Sequence, residues 1–500
     1  MSRVRTATLV GVDGVAVEVE VRISSQLPRV EIVGLPEAAV RESAARVRAA
    51  LGSAGEKFPD RRVTVHLAPA ELRKSGAGLD LPIAVALLAA DGRVEAAAVQ
   101  DVALAGELAL DGRLRPLRGA LAVALAVRAA GCTTLIAPRV SAAEAALAEG
   151  LEVRAAERLD AVLEHLRGGE PLPVAAPPPL QGGDRDGPDL ADVRGQELAK
   201  RGLEIAAAGG HGALLVGAPG AGKTMLARRL PGFLPDLEPD EMLEVTRIHG
   251  AVAPLAEPVV RQRPFRAPHH SASPAGLIGG GSPPRPGEVS LAHRGVLFLD
   301  ELPEFERRCL EGLRQVLEER RVVLVRARGH VSFPADFQLV SAANPCPCGW
   351  LGSGLRDCRC DEGRVTRYQA RVSGPLLDRI DLHLAVRPLA WRELDAAPPP
   401  GEHSDAVRRR VLSARRRQRR RSGGPNARLP DAALDAAVDA TAEARALLGR
   451  AVDGFGLSAR GARRVLRVAR TVADLAGEVR TGPEAVAEAL AYREDAGGGG

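Results

Sequence analysis

Few features limit the fold of a chain as tightly as an apolar strand that runs into a glycine-rich loop ending in Gly-Lys-Thr and then turns helical. Ala213-Leu-Leu-Val216 is such a strand, Gly217-Ala218-Pro219-Gly220-Ala221-Gly222-Lys223-Thr224 is the loop, and MLARRL opens the helix. Glycines let successive backbone N–H groups turn toward phosphate oxygens, and the helix N-terminus adds positive potential. In that setting Lys223 reaches the terminal phosphates of ATP and the Thr224 hydroxyl is a ligand for Mg²⁺. A chance glycine-rich turn is the bland alternative, and the flanking strand and helix weigh against it.

Two further strand ends have the chemistry such a loop needs. Gly295-Val-Leu-Phe-Leu-Asp300-Glu301 closes an apolar strand with two carboxylates about eighty residues downstream. At that place an Asp helps hold Mg²⁺ and a following Glu orients and polarises the attacking water. Taken alone, the pair would be a solvated strand end. Phe337-Gln-Leu-Val-Ser-Ala-Ala-Asn344 ends in an amide suited to sit between the γ-phosphate and the water, or else in a turn-forming Asn before Pro345.

Around this core the chain divides by composition. Residues 1–169 alternate strand-like runs (VAVEVEVRI, RRVTVHLAP) with Ala/Leu-rich helical runs (DLPIAVALLAA), which predicts an α/β domain. Residues 170–190, PLPVAAPPPLQGGDRDGPDL included, form a Pro-rich linker with little to bury. Short apolar strands between helices make 191–390 the nucleotide-binding domain, with a cysteine-rich insertion at 346–360. Residues 391–495 carry apolar positions at helical spacing throughout, and the final GGGG reads as a frayed tail. Five hundred residues suit about three domains. No apolar run approaches the ~20 residues of a membrane span, and the N-terminus shows no secretory signal. These features place the chain in the cytoplasm, away from membranes.

The net charge of +5 is modest, but its distribution is uneven. RRRVLSARRRQRRR, from Arg408 to Arg421, holds nine arginines and no acid. It could neutralise several phosphates of a nucleic acid, or be a solvated helix face. Arg263-Pro-Phe-Arg266-Ala-Pro-His269-His270 and Arg326-Ala-Arg328-Gly-His330 offer groups for phosphate contacts, unless the histidines merely pin an irregular loop. Of six cysteines, four crowd into Cys346-Pro-Cys348 and Cys358-Arg-Cys360, with Trp350 between. Four thiolates could close a structural Zn²⁺ site, although the CxC spacing strains ligation by both members of a pair. Reduced free thiols are the other reading.

The three strand ends, with Gly-Pro-Leu-Leu-Asp-Arg379-Ile-Asp381 after them, resemble the AAA+ ATPases, and more closely the Mg-chelatase-like AAA+ proteins of the bacterial ComM/YifB type. The resemblance runs through ATLVGVDGVAVEVEV, VEIVGLPEAAVRES, AELRKSGAGLDLPIA, GQELAKRGLEIAAAGGHGALLVGAPGAGKT, RPFRAPHHSASPAGLIGGG, NPCPCG and LSARGARRVLRVARTVADLAG. It implies an N-terminal ribosomal S5-like domain of the kind found in Lon protease, a central AAA+ P-loop domain and a C-terminal helical lid. By similarity Asn344 is the sensor 1 residue, Arg379 the arginine finger offered to a neighbour's ATP, and Arg460 the sensor 2 arginine of the lid, where Arg463, Arg464 and Arg467 share its helix. A finger supplied in trans implies a ring, a homo-hexamer.

Gly106-Glu-Leu-Ala-Leu-Asp-Gly-Arg-Leu-Arg-Pro116 is similar to Lon, whose proteolysis needs a Ser activated by a Lys. Leu79 or its neighbours and Leu121 stand at those places, and the adjacent Lys74 and Ser75 do not fit the pattern. The first domain is therefore expected to be non-proteolytic. The family resemblance implies an ATP-driven motor on single-stranded or branched DNA, acting as a helicase or in branch migration during recombination and natural transformation, with recombination proteins as partners. A chelatase-like ATPase that remodels a protein and does not act on DNA is the alternative, and an ATP-dependent protease a third.

Overall fold

The computed structural model describes residues 1–74, 76, 78–183, 187–326, 329–389 and 401–494. Ser75, Arg328, the expected domain boundary at 390 and the glycine tail lie outside the described residues.

Alternation of Val4, Val17, Val19 and Val21 with polar neighbours builds the first hairpin, because successive strand side chains face opposite ways. Its strands β1 (Ser2–Val10) and β2 (Asp13–Ser24) centre a mixed sheet that also contains β3 (Arg29–Val33), β4 (Arg62–Ala68) and β5 (Val102–Leu104). After a small hairpin of β6 (Glu107–Leu108) and β7 (Leu114–Arg115), β8 (Thr134–Pro138) and β9 (Glu152–Ala156) complete the order β3-β4-β2-β1-β5-β8-β9. The helices Asp80–Ala90 and Ala120–Ala129 enter separate apolar clusters against this sheet. Leu79 and Leu121 are each 1% exposed within those clusters, so the places where a Lon-type Ser and Lys would stand are core.

The Pro-rich stretch differs from a free linker at both ends. Ala155 donates to the Pro173 carbonyl and Ala175 to that of Val153, so the chain runs on beside β9. Leu190 is buried at the far end. Apolar residues at the two ends of a proline-rich segment can dock without the middle having to.

The nucleotide-binding region is a parallel sheet. Its strands are β10 (Ala213–Val216), β11 (Phe265–Arg266), β14 (Val296–Leu299), β17 (Gln338–Ala343) and β18 (Leu382–Ala385), in the order β11-β14-β17-β10-β18. Two ribbons interrupt it: β12 (Gly279–Gly280) with β13 (Arg285–Pro286), and β15 (Arg321–Arg326) with β16 (Gly329–Pro334). β10, β14, β17 and β18 are mostly apolar and buried, as a parallel sheet covered on both faces requires, with Ser341 and His383 buried among them. The helix Pro239–Val252 puts Met242 and Val245 into the same cluster as Leu121 and Val127, so the first two regions share a core.

The last region is helical: Ser404–Ser422, Asp431–Val438, Ala442–Phe455, Ala459–Ala476 and Pro483–Glu494. It is bound to the parallel sheet through buried polar groups. His211 touches Asp381 through Nδ1 at 2.9 Å and Thr471 through Nε2 at 2.8 Å. Asp474, fully buried, takes Arg470, Arg421 and Asn426. Burial alone would raise the Asp381 carboxyl, but the His211 contact and nearby Arg464 and Arg493 hold it at about 2.

The arginine run from 408 to 421 has a third role beyond the two expected of it. In the helix Ser404–Ser422, Arg408 pairs with Asp236 at 2.7 Å, Arg419 with Glu238 at 3.0 Å and Arg421 with Asp474 at 2.7 Å. Arg410 takes Glu204 and Glu402, while Arg415 and Arg417 cap the carbonyls of Ala207 and Asp474. The acids come from distant segments, which a local count of charge along the sequence does not register. Arg409, Arg416 and Arg420 make no ion pair among the described residues, and they are what remains for a phosphate backbone.

Candidate active site

The phosphate-type loop leaves β10 at its C-terminal end, where Gly220 (φ 76°) and Gly222 (φ 98°) occupy left-handed backbone before the helix Lys223–Ala227. Side chains with a Cβ adopt that backbone at a cost, and glycine does not. Lys223 is 8% exposed and its ammonium is held by the carbonyls of Gly217 (2.7 Å) and Ala218 (3.0 Å) and by Asn344 Oδ1 (3.0 Å). Burial pushes its pKa down, while Asp300 and Glu301 draw it back up. A buried ammonium in a glycine cradle, with only neutral oxygens in contact, fits a polyphosphate.

Beside it the Thr224 hydroxyl donates to Asp300 Oδ2 at 2.6 Å, so two oxygen donors suited to Mg²⁺ lie together. The parallel register explains the meeting: β10 pairs with β17 and β17 with β14, which aligns the ends that carry Lys223, Asn344 and Asp300. Glu301 follows with φ 53°, its N–H on Asp300 Oδ1 at 3.0 Å.

Two supporting residues escape the motif reading. Gln196 donates to the Arg387 carbonyl at 2.5 Å and reaches that of Ala221 at 3.4 Å, joining β18's exit to the loop. Its only sequence signal is its place in GQELAK. Tyr368, one of two tyrosines in the chain, is buried with its hydroxyl close to the backbone of Asn344. Burial pushes its hydroxyl up to about 12, with the charges of Glu304 and Glu301 adding. A lone tyrosine in a polar helix gives no warning of this.

In the segment Arg263–His270 Pro264 is buried, while Ala267 and His269 are exposed. Arg263 pairs with Glu241 at 2.9 Å and Arg266 is gripped by both oxygens of Glu288 at 2.7 and 2.8 Å, so each guanidinium already has a carboxylate partner within the chain. His270 lies on Glu301. At the β15–β16 turn, His330 is exposed, and Val325 is 74% exposed beside it.

Immediately after Asn344 the chain enters the cysteine loop. Sγ of Cys346 lies 3.4 Å from Cys348 and 3.7 Å from Cys358, Cys348 lies 3.6 Å from Cys358, and all four sulfurs, Cys360 included, fall within 4.8 Å of one another. Both members of each CxC pair thus converge on one place. Tetrahedral ligation at about 2.3 Å demands S–S edges of about 3.8 Å, so this cluster can hold a metal ion. The loop leans on the nucleotide site: a Cβ at Gly349 would come within 2.5 Å of Pro219 Cδ.

Arg379 and Arg460 lie elsewhere. β18 runs parallel to β10 with Ala213 opposite Leu382, so Arg379, three residues before β18, is at the N-terminal edge of the sheet. About 15 Å of strand separates it from the P-loop at the opposite edge. With Arg460 and Arg464 it lines a cavity of about 1090 Å³ floored by Gly212, Gly295 and Leu339. Burial and the neighbouring Arg314, Arg464 and Arg460 push the Arg379 pKa down, the mark of cations crowded without enough anions. Arg379 is meanwhile held by Glu318 and the Pro375 carbonyl. Arg463 and Arg467 are spent on Asp431 and Arg464 on Asp381, whereas exposed Arg460 makes no ion pair among the described residues.

Among the described residues no helix is long and apolar enough to cross a membrane. The family described as magnesium chelatase, subunit ChlI, matches residues 189–394, the subunit ChlI of Mg-chelatase family matches 19–141, and the ChlI C-terminal family matches 401–493. The competence protein ComM of Haemophilus influenzae is 42% identical over 488 residues, covering 97% of this chain and 95% of its own. YifB of Escherichia coli is 43% identical over 495 residues, covering 99% and 97%. Lon protease 1 of Bacillus subtilis is 31% identical over 172 residues, 32% of this chain and 22% of its own.

Proposed function

Since this chain belongs to the Mg-chelatase-like AAA+ ATPases of the ComM/YifB type, we propose that it is a head-to-tail ring motor, a homo-hexamer, that couples ATP hydrolysis to movement along single-stranded or branched DNA. The observation that carries the ring is the separation of Arg379 and Arg460 from the P-loop by the length of the sheet. Faces that point away from each other cannot both be satisfied by one two-fold partner, so each ATP site is completed by the next subunit round a closed ring.

In this proposal the P-loop from Gly217 to Thr224 cradles the phosphates, and Lys223 neutralises them. Mg²⁺, held by Thr224 and Asp300, supplies charge neutralisation on the phosphates when bound. Glu301 orients the attacking water and accepts its proton, and Asn344 fixes the terminal phosphate through the amide that now meets Lys223. Arg379 and Arg460 enter from the neighbour as anion-seeking groups, Arg460 being exposed and making no ion pair among the described residues. The apolar burial of Leu79 and Leu121 supports a non-proteolytic first domain.

The Haemophilus relative is a competence protein, and that supports a DNA-processing role in transformation and recombination. Turnover of ATP should rise at least severalfold with single-stranded or four-way-junction DNA, measured against Lys223→Ala as blank. Turnover indifferent to every form of DNA would instead assign the ring to remodelling of a protein partner.

The cysteine cluster is, in the same proposal, a structural Zn²⁺ site. Elemental analysis should find about one zinc per chain, and cobalt substitution should give the absorption of a tetrahedral thiolate centre. Because the loop presses on Pro219, Cys358→Ser should raise the KM for ATP as well as lose the metal. Metal-free protein with four thiols open to a thiol reagent in its native state would refute the site.

A further inference from the structure

β11 brings the chain beside β14, the strand that ends in Asp300 and Glu301. Arg266 is fixed by both oxygens of Glu288, and Phe265 stacks on Phe298 with ring centroids 6.0 Å apart, so the chain leaves β11 in a set direction. Four residues on, His270 Nδ1 stands 3.1 Å from Glu301 Oε2. The His270 ring lies tilted against that of His269, centroids 4.1 Å apart at 35°, and His269 is closed onto its own turn through Ser271 Oγ at 2.8 Å. Glu301 itself is loosely held, with a side chain 51% exposed on a left-handed backbone. A carboxylate that must aim at one water therefore depends on what its oxygens touch.

We propose that His270 is a positioning residue for Glu301, aiming the carboxylate that the proposed hydrolysis relies on. The contact engages Oε2 and leaves the other carboxylate oxygen for water. The tilted contact with His269 narrows the directions in which the imidazole can swing away. The proposal rests on the reading of Glu301 as the water-orienting group.

The test is a double-mutant cycle with His270→Ala and Glu301→Gln, measured as single-turnover hydrolysis of ATP and as binding of a non-hydrolysable ATP analogue. Misplacing a catalytic group by about 1 Å costs up to roughly a hundredfold, so His270→Ala should lower the rate about 10- to 100-fold with analogue affinity unchanged. In the Glu301→Gln background the same change should add nothing, because the group it aims is gone. His270→Asn keeps a donor near the place of Nδ1 and should recover most of the rate. An equal loss in both backgrounds, or a loss that His270→Asn does not recover, overturns the proposal. Full turnover by Glu301→Gln alone would instead remove the reading of Glu301 on which it rests.

Discussion

Arg379→Ala is expected to lower ATP turnover of the assembled protein about 10³-fold while leaving ATP affinity within about twofold, because an arginine finger acts on charge that develops only in the transition state. Arg379 stands at the sheet edge opposite the P-loop, so its removal leaves the chain's own nucleotide cradle intact. It also frees Glu318, an exposed carboxylate, whereas the Arg379 side chain is itself only 9% exposed, so the melting temperature of the variant is followed alongside its turnover. Turnover by size-fractionated rings, alongside binding of a fluorescent ATP analogue, separates the two effects. If binding fell together with turnover, Arg379 would be a structural residue of its own subunit.

The second large effect is on the near side of the site. Lys223→Ala should bring turnover to background and weaken ATP binding by roughly ten- to a hundredfold, the value of a charge-assisted hydrogen bond to phosphate. Stability should move the other way. Lys223 is a buried cation with carbonyl and amide oxygens as its partners, so its loss relieves desolvation. The nucleotide-free melting temperature should therefore hold or rise, and the stabilisation that ATP normally confers should vanish. A variant that melted earlier without nucleotide would mean that Lys223 braces the loop.

The sequence revealed the near side of this site because each part is punctuated locally. A strand, a glycine loop and a helix announce Lys223 and Thr224, and an apolar strand closing on two acids announces Asp300 and Glu301. Parallel register then brings those ends together. What the residues alone could not show was direction. Nothing in the spacing of Arg379 and Arg460 tells that they face away from their own P-loop, since that follows from where β18 begins and from how the helical region packs on the helix Glu197–Gly209.

Partnership was equally hidden. The nine arginines from Arg408 to Arg421 look like one basic stripe until Glu204, the neighbouring Asp236 and Glu238, and Asp474 arrive from three separate segments. Arg263 and Arg266 lose their apparent freedom in the same way, to Glu241 and Glu288. Conversely, the cysteine pairs looked strained as ligands by spacing, yet the turn through Gly349 brings all four sulfurs within 4.8 Å. His270 was legible as a residue but not as a neighbour of Glu301, because two residues of β11 decide where it goes.

The most direct test of a site shared between subunits is to mix two inactive proteins, Lys223→Ala and Arg379→Ala, and measure ATP hydrolysis. In a mixed ring, an Arg379→Ala subunit with its intact P-loop can receive Arg379 from a Lys223→Ala neighbour, and that interface is fully wild type. Random assortment makes this roughly a quarter of the interfaces in a closed ring. Turnover should therefore reappear on mixing, up to about that fraction of the wild-type rate. Mixed rings that form but hydrolyse nothing would contradict the claim that each ATP site is completed by the arginines of the next subunit.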